Sequence, residues 1–156
     1  MELDRFDKHI LEILTYEDLN LNELSERINL SVSSVHRRIK NLIDLNIISG
    51  IKRDINYQKL GFSLHVLLQV SLSKHDTDTF AKFLSELESI PEVINAFLVT
   101  GQSADFIVEV VAKDMENYSE ILLKRIGKIE HVVALHSSFV IKQYNVLNCN
   151  GLLNRI

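Results

Sequence analysis

Ser31, Ser33, Ser34, Arg37, Arg38 and Asn41 crowd one short stretch of the chain, with His36 and Lys40 between them. Serine hydroxyls and the free N–H groups at a helix start bind phosphate oxygens, while arginine grips a guanine edge and asparagine an adenine edge through paired hydrogen bonds. Together these residue types suit the groove of double-stranded DNA. The same pattern also fits a capped, solvated surface helix, and local pattern alone does not separate the two. At about 100° per residue, Arg37 and Asn41 point away from an apolar stripe of Val32, Val35, Ile39, Leu42 and Ile43. Arg37 is therefore the first candidate for reading a base. Arg38, at the stripe edge, suits a phosphate contact or a brace within the fold. His36 is expected to be a half-buried packing residue before a DNA donor. Lys52 and Arg53 follow on a connector, where they would touch the DNA backbone or remain solvated charges.

A second polar group lies between two apolar runs: Thr100, Gly101, Gln102, Ser103 and Asp105. A carboxylate such as Asp105 can hold the ammonium of an amino acid, and a glycine turn can offer N–H groups to its carboxylate. Ser137 and Ser138 could add hydroxyls. The plainer alternative is a hairpin loop in which Asp105 caps its own turn. Catalysis finds little support. There is no glycine-rich phosphate loop, nucleophile elbow or His-x-x-x-His pattern, and Cys149 has no evident base. His9, His65, His75, His131 and His136 have no ligand spacing, so neither a metal nor a cofactor is expected. His65 and His136 are expected to face each other across strands as packing residues.

The chain has 156 residues, 46% apolar and 24% charged, a composition that folds. Met1-Glu2-Leu3-Asp4 lacks the basic-then-apolar layout of a secretion signal, and a lone cysteine permits no internal disulfide, so a cytoplasmic, reduced protein with no membrane partner is expected. Net charge is −4, too negative for a protein that coats nucleic acid by bulk charge. From Val32 to Arg53, however, five bases oppose the single acid Asp44, whereas from Gly61 onward eight bases face eleven acids. A local basic patch on an acidic chain fits directed contact through one surface.

Three short helices are expected to position the first group. Asp4 caps a helix carrying Phe6, Ile10, Ile13 and Leu14; Asn20 with Glu23 forms a capping box for a helix carrying Leu24 and Ile28; Ser31 caps the third. The tight link Arg27–Ser31 makes the last two a helix-turn-helix. Asn46 reads as a left-handed cap, Ile47–Ile55 as a short strand pair or extended connector, and Asn56–Gly61 as a hinge. The period then changes. Leu64–Leu72 alternates as a strand, a helix opens at Asp76 or Thr77, strands follow over Val93–Thr100 and Asp105–Ala112, Asp114 caps a helix carrying Met115, Tyr118, Leu122 and Ile126, and a last strand spans about Val132–Tyr144. That order is the ferredoxin-like split βαββαβ unit. Both helices are expected over Leu68, Leu98, Val108 and Phe139. The other face, with His65, Leu67, Gln69, Phe97, Val99, Ile107, Val111, Ala134 and Val140, is apolar enough to predict a homodimer.

The sequence resembles the leucine-responsive/asparagine-regulator (Lrp/AsnC) family of transcription regulators over nearly its whole length. The resemblance rests on Leu3–Leu11, Leu24–Ser31 with Val35–Leu42, Ile47–Ile51 leading to Leu60-Gly61, Val99-Thr100-Gly101 with Asp105-Phe106, and Phe139–Lys142. It implies an α/β (α+β) chain with a winged helix-turn-helix over residues 1–60 and a ferredoxin-like sensing and assembly domain over 61–156. It further implies DNA binding, dimers that associate into octamers or similar rings, and amino-acid effectors held between subunits. Asn46 stands where the family usually has Gly, and the loop Gly101–Asp105 is one residue longer than the common Gly-x-x-Asp form. Some proteins similar to this family are siroheme decarboxylases on the same scaffold. The basic third helix favours a DNA-binding regulator, not an enzyme.

Overall fold

The computed structural model describes residues 3–50, 55–100, 104–144 and 153. They form two compact units, one holding three helices and the other spanning Asp54–Gln143 around a sheet. No helix among the described residues is long and apolar enough to cross a membrane.

In the first unit, α1 (Arg5–Tyr16), α2 (Leu21–Ile28) and α3 (Val32–Asp44) each begin at the expected cap. The Asp4 carboxylate accepts the N–H groups of Phe6 and Asp7 at 2.8 and 2.9 Å, and the Asp7 carboxylate accepts the Asp4 N–H in return. Asn20 and Glu23 repeat this reciprocal arrangement on α2. Each box satisfies donors that a helix start leaves orphaned. The α2–α3 link turns at Asn29, whose φ of 59° is left-handed. Ile10, Ile13, Leu24, Ile28, Val35 and Leu42 form the core, with Phe6, Leu14 and Ile39 partly buried against it. Val32 and Ile43, expected on the buried stripe, are exposed. They sit at the stripe's margins, where α1 and α2 do not reach. Asn46 has φ 55°, and the N–H of Ile47 returns to the Leu42 carbonyl at 2.9 Å, closing α3 as expected of a residue that tolerates the left-handed region. No strand forms among the described residues of Ile47–Ile55.

In the second unit a 3₁₀ turn (Tyr57–Leu60) leads to β1 (Leu64–Leu72), α4 (Thr77–Glu88), β2 (Val93–Leu98), β3 (Phe106–Ala112), α5 (Met115–Glu120) and β4 (Val132–Phe139). The sheet order is β2-β3-β1-β4, every neighbour antiparallel. This is the expected split unit. Val66, Leu68, Val70 and Leu72 of β1 and Phe106, Val108, Val110 and Ala112 of β3 pack beneath Phe83, Leu87, Tyr118, Ile121 and Ile126. Phe106 meets the rings of Phe80 and Phe83 at 5.3 and 4.9 Å.

Several boundaries and contacts differ from expectation. β4 stops at Phe139, not near Tyr144, because its partner β1 runs out: the last rung is the Val140 N–H on the His65 carbonyl at 2.9 Å. β2 likewise closes with the Val99 N–H on the Asp105 carbonyl and does not reach Thr100. Leu98 and Phe139 lie on the helix side by register, opposite Phe106 and Val66, yet stay 60% and 43% exposed on the outer strands. Met115 is exposed as well. Beyond α5 the helix widens to a π turn (Ile121–Arg125) and tightens to a 3₁₀ turn (Ile126–Lys128). Gly127 permits that ending, since a Cβ there would come within 2.8 Å of the Leu122 carbonyl oxygen.

On the open face, His65, Leu67 and Gln69 oppose Val111, Glu109 and Ile107, and Phe97 opposes Ile107. His136 pairs with Gln69 and not with His65, because β4 runs antiparallel in a register that sets Val140 beside His65. The His65 Nε2 lies 3.6 Å from a Glu109 carboxylate oxygen, shielded from solvent and without a hydrogen bond.

Candidate nucleic-acid interface and effector loop

At the start of α3 three hydroxyls gather. Ser31 Oγ accepts the Ser34 N–H at 3.3 Å, donates to Ser34 Oγ at 2.8 Å and lies 3.1 Å from Ser33 Oγ. They cluster at the positive end of the helix dipole. One turn further, Arg37, Lys40 and Asn41 are all exposed. His36 is exposed too, correcting the expectation of a half-buried histidine; α1 and α2 cover only the Val35–Leu42 side. A shallow depression of about 310 Å³ is lined by Asp7, Arg37, Arg38 and Asn41.

Arg38 behaves differently from its neighbours. Its Nη1 lies 2.7 Å from carboxylate oxygens of both Asp4 and Asp7, and its guanidinium sits 5.3 Å from the Phe6 ring centre. The Asp7 N–H, ahead of Arg38 itself, holds the Asp4 carboxyl below its ordinary value, while the hydrogen bond to Asp7 leads in raising Arg38 further. Of the two roles expected for Arg38, the brace is the one its contacts describe. Lys52, Arg53, Gly101, Gln102 and Ser103 lie outside the described residues.

At the other candidate site Thr100 is exposed. Asp105 reaches the neighbouring strand β1. Its Oδ2 accepts the N–H of Leu72 at 2.7 Å, fastening the end of β1, and its Oδ1 lies 3.1 Å from His75 Nε2. Ser137 and Ser138 do not converge on one ligand, because neighbouring strand residues face opposite ways. Ser137 opposes Leu68 on the helix side and shares a 2.5 Å hydrogen bond with the Tyr118 hydroxyl; Ser138 opposes Leu67 on the open face. Burial pushes the Tyr118 hydroxyl above its ordinary pKa, against a smaller opposing effect of the bond to Ser137. Among the described residues no group of three or more His, Cys, Asp or Glu side chains is placed to hold a metal.

Sequence reasoning missed His75 beside Asp105, Glu109 beside His65, and the two aspartates on Arg38. Period-two alternation could have separated Ser137 from Ser138 and placed Glu109 on the open face. Nothing local could have paired Arg38 with α1.

Comparison with known proteins gives a consistent picture. A family model for winged helix-turn-helix DNA-binding matches residues 3–49, and one for the Lrp/AsnC ligand binding domain matches residues 65–146. The chain is 31% identical over 142 residues to the Bkd operon transcriptional regulator of Pseudomonas aeruginosa, covering 90% of this chain and 92% of that one. It is 32% identical over 140 residues to the transcriptional regulator AzlB of Bacillus subtilis, with 88% of each covered. Among solved structures, a transcriptional regulator of Neisseria meningitidis in complex with L-Met superposes with a TM-score of 0.82 at 30% identity, covering 97% of this chain and 99% of that one.

Proposed function

Because the chain belongs to the Lrp/AsnC family of transcriptional regulators, we propose that it regulates transcription by setting α3 into the major groove, with Arg37 and Asn41 on base edges. Ser31, Ser33, Ser34, His36 and Lys40 would meet phosphates, joined by Lys52 and Arg53 from the connector. Residues 1–60 then form the DNA-binding head and 61–156 the sensing and assembly domain of a cytoplasmic protein. The supporting observation is the exposed Arg37–Asn41 side of a helix whose dipole-positive end gathers three serines.

Sheet-to-sheet pairing through Leu67, Phe97 and Ile107 would set two heads about one DNA turn apart, and further association would give a higher oligomer such as an octamer. A small amino acid is the proposed effector, held near Thr100 and Asp105. The neisserial L-Met complex supports that ligand class. To regulate, the effector must bind one arrangement of subunits more tightly than another.

The test is fluorescence anisotropy on a duplex selected by genome-wide mapping, beside a scrambled duplex. Arg37→Ala should lose about 1–3 kcal/mol on the selected duplex and little on the scrambled one. Equal loss on both would reduce Arg37 to a phosphate contact. Calorimetric titration with the twenty amino acids should give heat for at least one; silence for all would remove the effector.

A further inference from the structure

Arg38 lines the same depression as Arg37 and Asn41, but so does Asp7, a carboxylate on the surface meant for a polyanion. Asp4 lies beside it. Left bare, two negative charges next to Arg37 would repel the phosphates that α3 must approach. The guanidinium of Arg38 contacts both carboxylates at 2.7 Å from one nitrogen, while Phe6 underlies it. Its side chain is 22% exposed and that of Asp7 only 15%. A phosphate would have to compete with two aspartates for this head group and would leave both unpaired if it won. The contact also joins the first turn of α1 to the middle of α3.

We propose that Arg38 is a positioning residue that does not read DNA: it offsets the charge of Asp4 and Asp7 at the groove-facing surface, so that phosphates can approach Arg37 and Asn41. This rests on the groove reading above, and the experiment separates the two. Anisotropy titrations of the full chain on the selected duplex, across a salt series, compare wild type, Arg37→Ala, Arg38→Met and the triple variant D4N/D7N/R38M. The asparagines keep an oxygen for each half of the capping box, so α1 retains its start.

Arg38→Met should weaken binding at least tenfold at low salt and less at high salt, since salt screens the repulsion from Asp4 and Asp7, and recovery in the triple variant tells this from a lost phosphate contact. The triple variant should return to within about threefold of wild type, because the charges needing neutralisation are gone. A slope lowered by about 0.9 in Arg38→Met, one phosphate's worth, with no recovery in the triple variant, would make Arg38 a DNA contact and overturn the proposal. Loss in Arg37→Ala without loss in Arg38→Met would keep the groove reading and overturn the neutralising role; loss in neither would overturn both. Should circular dichroism find Arg38→Met unfolded, D4N/D7N with Arg38 intact decides. The freed guanidinium should then tighten binding and steepen the slope by about 0.9, and no change in either would overturn the proposal.

Discussion

Replacing Asp105 separates its structural role from its proposed role toward an effector. Leu72 is almost wholly buried at the end of β1, and its N–H has the Asp105 Oδ2 as partner at 2.7 Å. Asp105→Ala leaves that N–H without the carboxylate. An orphaned buried donor costs about 1–3 kcal/mol, and the charge-assisted character of this bond places the loss in the upper half of that range. The exposed contact with His75 adds little, since such pairs contribute about 0–1 kcal/mol. A loss of about 2 kcal/mol in a unit of this size lowers Tm by roughly 8–16 °C. Asp105→Asn keeps an oxygen in the same place and should lower Tm by less than half as much. The same asparagine lacks the negative charge that an ammonium needs, so it should abolish calorimetric heat with an amino acid that binds wild type. Thermal unfolding followed by circular dichroism measures the first effect and titration the second. Equal, small Tm changes in both variants would refute the strand-fastening role; undiminished heat in Asp105→Asn would refute the ammonium role.

Tyr118 should make the protein sensitive to alkali. Its hydroxyl titrates above the ordinary value of 10.0 in the folded state, so the stabilisation is present below that pH and is lost as pH rises through the folded value. Tyr118→Phe should flatten the fall in denaturant midpoint above pH 10 relative to wild type, and an unchanged fall would assign it elsewhere. Phe97 is 48% exposed on the open sheet face. If sheets pair there, Phe97→Asp forfeits about 2 kcal/mol of apolar burial per protomer and should give monomers at micromolar concentration by sedimentation velocity. A persistent dimer would place the interface elsewhere.

The caps at Asp4, Asn20, Ser31 and Asp114 and the turn at Asn46 were readable in the chain as written, and the start of α4 was narrowed to Asp76 or Thr77, of which Asp76 is the cap. A cap is a bond between residues two or three apart, and Asn tolerates positive φ wherever it stands. The alternation of β1 and the order of the second unit's elements were equally legible, because burying one face imposes the period of two locally. The basic, serine-rich start of α3 was visible as composition. Tertiary structure alone decided the rest. Arg38 turned to carboxylates 31 and 34 residues away, β4 ended where β1 ceased to offer partners, and Asp105 fastened the end of a neighbouring strand. Each of these outcomes depends on which distant groups folding brings within 3 Å, and no pattern along the chain encodes that distance.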